Sequence, residues 1–223
     1  MISPLLANVY LHKVLDDWFE KQVRPRLAGR AVLIRYADDA VIAFVSEKDA
    51  RRVLDVLPKR FGKYDLTLHP EKTRLVQFRR PFPSSGGKRG ERPGTFDLLG
   101  FTHYWARSYR GRLVIRRQTA RSRLRRALAA VALWCQANRH QPVVEQQRGL
   151  NLKLRGHYGY YGITGNFRSL KGFRNEAARV WRRWLDRCSQ RARTNWSRFN
   201  NLLQRYPLIP PRVVHSVYAQ RAR

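Results

Sequence analysis

Two adjacent carboxylates, Asp38 and Asp39, stand between short apolar runs at residues 31–36 and 40–45. β-rich runs of that length, joined through turn-forming acids, read as a hairpin with the acids at its tip. Neighbouring carboxylates repel unless a cation lies against them, and hard oxygen ligands at a tight turn suit Mg²⁺. An ion held there could bridge a polyphosphate, lower the pKa of an attacking hydroxyl and stabilise charge on a leaving oxygen. The plain alternative is an ordinary turn, where Asp is common for its local hydrogen bonding.

The elements around this pair must position it. Ser3 and Pro4 open a helix as N-cap and first helical residue. Leu6, Val9, Tyr10, Val14 and Trp18 continue it at helical spacing, with a stop expected before Pro25. After the hairpin, Ser46 with Asp49 three residues on forms a capping-box pattern for a helix to about Phe61, which Pro58 should kink. Short strands are expected at residues 66–68 and 75–78. Residues 81–94, rich in Pro, Gly and Ser, read as a flexible basic loop. Strands at 95–106 and 113–118 should then form a second hairpin turning near 109–111. From Thr119 the spacing predicts three helices, marked by Leu124, Leu128, Val131 and Trp134, then by Leu150, Leu154, Tyr158 and Tyr161, then by Leu170, Phe173, Ala177, Trp181 and Trp184. The expected class is α+β, with a β-containing part followed by an all-helical one.

Charge divides the 223 residues in a similar way. The chain carries 46 Lys and Arg against 15 Asp and Glu, a net of +31, and 37 of the basic residues are Arg. Residues 1–101 hold 19 basic and 12 acidic side chains, whereas residues 102–223 hold 27 and three. A compact domain repels itself at such charge unless a polyanion screens it, and the planar guanidinium fork pairs phosphate oxygens. With 43% hydrophobic and 12% aromatic residues, a wholly disordered chain is excluded. Cys135 and Cys188 show no zinc or disulfide spacing and read as small buried hydrophobes. The six histidines are scattered without ligand spacing. No apolar run approaches the ~20 residues of a membrane span and no signal pattern is present, so an intracellular, cytoplasmic location is expected.

Tyr36-Ala37-Asp38-Asp39 between two apolar β-runs resembles the catalytic hairpin of reverse transcriptases. Further blocks follow the order of group II intron-encoded reverse transcriptase/maturases. Ile2-Ser3-Pro4-Leu5-Leu6-Ala7-Asn8-Val9-Tyr10-Leu11 is similar to the segment before the hairpin, and Leu66-Thr67-Leu68-His69-Pro70-Glu71-Lys72-Thr73 to the block after it. Phe96-Asp97-Leu98-Leu99-Gly100-Phe101 resembles the primer-handling block. Residues 152–162, with Asn166 and Phe167 after them, resemble the maturase thumb.

The resemblance implies an α+β fold: a partial right-hand polymerase palm at 1–80, a basic loop and primer-contacting hairpin at 81–118, and a helical thumb/maturase domain at 119–223. It implies RNA-directed DNA polymerase chemistry with Mg²⁺, and as partners intron RNA and an RNA/DNA primer-template, with no membrane. Asp38 would be a metal ligand and Asp39 a second ligand or electrostatic support. Tyr36, Ala37 and Gly100 would lie near primer and nucleotide. Lys72 would neutralise charge or donate a proton at the departing pyrophosphate, although a solvated cap after Pro70 is an equal reading. For Gly100 a strand bulge is the alternative. The family also has a third aspartate on an upstream palm strand and a Gln-Gly stretch, neither of which precedes the opening segment here. Asp16 and Asp17 fall inside the first helix and cannot replace that aspartate. A truncated chain that polymerises poorly or not at all alone is therefore expected, with an unpaired edge on the hairpin.

In the basic half, Arg121, Arg125, Arg126, Arg182 and Arg183, within arginine-rich stretches at 107–126 and 168–193, and Lys153 and Arg155 between those stretches are the expected RNA contacts. Their alternative is a solvated helical face. Trp181 and Trp184 are expected mainly in the core, as are Tyr158 and Tyr161, with base stacking as the other use. A non-catalytic RNA-binding module is the second functional reading, and a basic structural protein a third that the acidic hairpin argues against.

Overall fold

The computed structural model describes residues 3–81, 94–187 and 195–216. The basic loop expected at 81–94 therefore lies almost wholly outside the described residues, as do Cys188, Arg191 and Arg193. The fold is α+β and divides into two compact units, Met1–Leu99 and Gly100–Arg223.

The first unit begins with α1 (Ser3–Leu11), and the coil does not stop there. It widens into two π-helical stretches, His12–Asp16 and Phe19–Val23, and closes with a 3₁₀ turn, Arg24–Arg26. Pro25 thus sits inside the last turn, not beyond the helix as its breaking power suggests, because the first turn of a 3₁₀ helix needs no N–H there. The widened region buries Val14, Leu15, Trp18 and Phe19.

Strands β1 (Ala31–Tyr36) and β2 (Asp39–Phe44) form the expected hairpin, antiparallel from Ala31 opposite Phe44 to Tyr36 opposite Asp39. Alternation sends Ala31, Leu33, Ile42 and Phe44 toward the core of this unit. It leaves Val32, Ile34 and Tyr36 on the outer face, 50%, 54% and 68% exposed, so that one side of the hairpin is uncovered among the described residues.

Helix α2 (Glu47–Gly62) starts as its cap predicts. The Ser46 hydroxyl accepts from the Asp49 N–H at 3.3 Å. The reciprocal half of the capping box is absent, because the buried Asp49 carboxylate instead accepts from the Gly29 N–H at 3.0 Å and ties the helix start to the loop before β1. The helix runs on through Pro58. Residues 66–68 and 75–78 are not strands. Leu66 and Leu68 do pack on the core, yet the chain turns at once, with the Lys72 and Thr73 N–H groups both donating to the His69 carbonyl. Apolar alternation there marks side-chain burial without a backbone partner to complete a ladder.

The run expected as one strand at 95–106 is broken. A short strand β3 (Phe96–Leu98) ends at Leu99 and Gly100, which have φ of +51° and +76°, and β4 (Phe101–Arg107) follows. In the second unit β4 pairs with β5 (Leu113–Thr119), antiparallel from Phe101 opposite Thr119 to Arg107 opposite Leu113. Four helices come next: α3 (Arg121–Ala137), α4 (Val143–Tyr161), α5 (Phe167–Asp186) and α6 (Trp196–Arg205), the last not foreseen. Their shared core holds Val131, Cys135, Leu150, Leu154, Tyr158, Leu170, Phe173, Trp181 and Phe199.

One buried polar side chain of this unit is fully engaged. Asn166, 1% exposed, accepts from the Thr119 N–H at 2.9 Å and donates to the Thr119 hydroxyl and the Tyr161 carbonyl at 2.9 and 2.8 Å. One side chain thereby joins the end of β5 to the junction of α4 and α5. Among the described residues no helix is long and apolar enough to cross a membrane.

Candidate functional site

The hairpin tip is a two-residue loop, Ala37-Asp38, since Tyr36 and Asp39 are already a cross-strand pair. Ala37 has φ of +54°, the left-handed region in which a Cβ costs roughly 1 kcal/mol or more. Both carboxylates are exposed. Asp38 occupies the second loop position, and Asp39 lies opposite Tyr36, whose ring is open to solvent. The tip therefore presents two hard oxygen donors and an aromatic face outward.

What holds this strained turn is Arg35. By alternation its side chain belongs to the inner face with Ala31 and Leu33, and it is only 13% exposed. Its Nε and Nη2 donate to the two oxygens of Asp16 at 2.8 and 2.7 Å. Its Nη1 donates to Asn8 Oδ1 at 3.0 Å and to the Ala37 carbonyl at 2.9 Å. The fork holds the Asp16 carboxyl below its ordinary range and raises the Arg35 guanidinium. A hydrogen bond from a charged donor contributes about 1.5–3 kcal/mol, enough to offset the strain at Ala37.

The remaining acids near the start of this unit are occupied. Lys21 pairs with Asp17 at 3.0 Å, Arg24 with Glu20 at 2.6 Å, and Arg51 with Glu47 at 2.7 Å. Among the described residues no three His, Cys, Asp or Glu side chains gather to hold a metal. The donor set at the tip nonetheless fits Mg²⁺ in kind, because that ion is commonly bound through one or two carboxylates with the rest of its shell from phosphate and water. Lys72 is exposed in the turn after Pro70, and among the described residues no ion pair links it to Asp38 or Asp39.

Gly100 has a reason to be glycine inside the second unit. Its φ is +76°, a Cβ there would approach the Tyr161 hydroxyl to 3.1 Å, and its carbonyl accepts from the Ala120 N–H at 2.9 Å.

The basic residues of the second unit separate into two groups. Arg121, Arg125, Arg126, Arg155 and Arg183 are exposed and, among the described residues, have no acidic partner. Arg121 and Arg125 are one turn apart on α3, and unopposed like charges at that spacing repel. Lys153 and Arg182 are engaged at home. The Lys153 ammonium lies 5.3 Å over the Trp134 ring, and the Arg182 guanidinium stacks 3.9 Å over Trp196 and lies 3.9 Å from Asp186. Trp181 is fully buried and Trp184 packs partly against the core, with Arg187 over its ring. Tyr160 is the exposed tyrosine of the α4 end, whereas Tyr158 is buried.

His157 is a buried feature that spacing alone did not mark. It stacks on Phe173 with 3.8 Å between ring centroids, its Nε2 has no hydrogen-bond partner among the described residues, and burial pulls its pKa down to about 4. In the unfolded chain the ring titrates near 6.5. Between those values the unfolded chain binds a proton that the folded one refuses, so stability should fall as pH drops through 6.5 and level off below 4. Allowing for solvent screening, the loss is about 2 kcal/mol. Urea unfolding at pH 7.5 and 4.5 should show this component in the wild type and lose it in His157→Phe.

Residues 1–103 match the family described as reverse transcriptase (RNA-dependent DNA polymerase). A comparison with curated proteins finds no match to the chain. The matched stretch, 103 of the 223 residues, takes in Arg35, Tyr36, Ala37, Asp38, Asp39, Lys72 and Gly100. Helices α3 to α6 lie beyond it.

Proposed function

We propose that this chain is part of a group II intron-encoded reverse transcriptase/maturase, with a palm portion carrying the polymerase carboxylates and a helical portion that binds intron RNA. The observation that carries the reading is the Ala37-Asp38 loop, which turns two exposed carboxylates outward within the stretch matched to reverse transcriptases. Asp38 and Asp39 would hold Mg²⁺. When bound, that ion supplies charge neutralisation of phosphate oxygens and a more acidic primer hydroxyl. The outward Tyr36 ring offers a flat surface for a sugar or base beside it. Lys72 is a charge donor for departing pyrophosphate. Gly100 keeps the primer-handling segment in its turn. The exposed arginines of α3, α4 and α5 take the RNA phosphates; Lys153 and Arg182, held by tryptophans, contribute through ring-supported positive charge.

A second reading, an RNA-binding module without chemistry, is favoured by one observation. Two-metal phosphoryl transfer needs carboxylates on both sides of the ions, and the other acids near the start of the first unit are paired with basic residues. We therefore expect the purified chain to bind structured RNA in low salt and to give no primer extension on an RNA template with Mg²⁺. Extension abolished by Asp38→Ala would show the present carboxylates to be sufficient. Extension that survives Asp38→Ala would remove the hairpin tip from the chemistry.

A further inference from the structure

We infer that Arg35 is a positioning residue for the hairpin tip: it fastens the Ala37 carbonyl to the first helix so that Asp38 is presented in a single conformation. The inference rests on the proposed role of Asp38 as a metal ligand. Three observations carry it.

The first is placement. Arg35 is a charged residue on the inner face of an otherwise apolar strand, 13% exposed, and its cross-strand neighbour Ala40 is small enough to leave the guanidinium room. A charge in that position is retained at a desolvation cost, so its contacts must compensate.

The second is the contact set. Asp16 takes Nε and Nη2 with both of its oxygens, while Nη1 reaches Asn8 of α1 and the Ala37 carbonyl. A planar guanidinium bound on two edges cannot rotate, so the carbonyl it holds inherits its position from the helix. An arginine that only joined helix to strand would need the Asp16 fork alone. The bond to the loop carbonyl is the part that reaches the site.

The third is the loop itself. Ala37 has φ of +54° and directly precedes Asp38. Among the described residues no side chain other than Arg35 hydrogen-bonds to the Ala37-Asp38 loop. Without that bond the loop would relax toward turns with negative φ at Ala37, and the Asp38 carboxylate would move with it. Asp16, which sequence reasoning sets aside because it lies inside a helix, here acts through Arg35 at one end of a widened helical stretch.

The test uses the full chain, labelled for NMR, as wild type, Arg35→Lys, Asp16→Asn and Asp38→Asn. Lysine keeps the charge and loses the fork, while Asp16→Asn keeps the arginine and loosens its anchor. In metal-free buffer we expect Arg35→Lys to retain protected amides at Val32, Ile34, Val41 and Ala43, which face each other across the hairpin ladder, with the Ala37 and Asp38 signals broadened or doubled. The Mn²⁺ concentration that half-broadens the tip amides should rise about tenfold, with a smaller rise for Asp16→Asn. If Arg35→Lys does not fold, Asp16→Asn decides the matter by the same signals. A lowered melting temperature with unchanged Ala37 and Asp38 signals and unchanged Mn²⁺ response would overturn the inference and leave Arg35 as structural support only. If Mn²⁺ does not broaden the wild-type tip, or broadens Asp38→Asn equally, the role of Asp38 fails, and the metal-free signals still judge Arg35.

Discussion

Neutralising Arg121, Arg125 and Arg126 together, each to Gln, is expected to weaken binding of structured RNA by about two orders of magnitude at 0.1 M salt. The estimate follows from counterion release: each phosphate contact contributes roughly 0.7–0.9 of a decade at that salt concentration, and three contacts are removed. The three side chains are exposed on one helix with no acidic partner among the described residues, so their loss breaks no ion pair. Glutamine is nearly as good a helix former as arginine, so α3 itself should persist. The salt dependence is the sharper readout. The slope of log affinity against log salt should become shallower by about two to three, measured by fluorescence anisotropy from 50 to 300 mM salt with unchanged circular dichroism. The contrasting substitution is Arg182→Gln. That guanidinium is held over Trp196 and near Asp186, so its removal should change the slope by less than one unit.

Trp181→Ala is expected to destabilise the helical unit by about 3–5 kcal/mol. Trp181 is 0% exposed, packs edge-on to Phe199 at 6.0 Å, and fills the centre of the core made by α3, α4 and α5. Its indole N–H also donates to the Gln146 Oε1 at 2.9 Å. The Gln146 amide is 2% exposed and its Nε2 donates to the Gln141 and Arg139 carbonyls at 2.7 and 3.2 Å, closing the turn between α3 and α4. Removing the indole therefore opens a cavity and strands a buried acceptor. Trp181→Phe separates the two effects, because it refills much of the volume and leaves the acceptor unpaired. Its cost should be about 1–3 kcal/mol. Urea unfolding followed at 222 nm reads both. Equal stability of wild type and Trp181→Ala would mean that the core is organised around other residues.

How much of this was legible beforehand depends on whether a pattern needs a partner. The β1–β2 hairpin was legible because alternation and turn-forming acids are local signals, and the helical core was legible because leucine and aromatic spacing at 3.6 residues survives any arrangement of the helices. Ser46 was readable as a cap for the same reason. What failed was non-local. Residues 66–68 have the composition of a strand but no ladder partner among the described residues, so they pack through Leu66 and Leu68 alone. The block from Phe96 to Phe101 looks continuous, yet its backbone reverses sign in φ at Leu99 and Gly100. Pro25 marked a helix end that the switch to a 3₁₀ turn removed.

The site divides along the same line. The position of Asp38 and Asp39 at the tip could be read from the residues on either side. The contribution of Arg35 could not, because it depends on a contact with Asp16 across 19 positions. A signal was present, since alternation puts Arg35 on the buried side of an apolar strand, and a charge there calls for a specific partner. On the basic helices the reverse holds. Arginine density marks the surface, but only the structure shows that Arg182 and Lys153 rest on tryptophans while Arg121, Arg125 and Arg126 have no acidic partner among the described residues.

The most direct measurement replaces Mg²⁺ by Fe²⁺ in a complex of the full chain with an RNA template and an end-labelled DNA primer, with ascorbate and peroxide generating hydroxyl radicals at the ion. A divalent ion on the Asp38 and Asp39 carboxylates predicts cleavage confined to the primer near its 3′ end and to the polypeptide near residues 36–39, both lost in Asp38→Asn. Cleavage spread evenly along the duplex, or an unchanged pattern in Asp38→Asn, would contradict it.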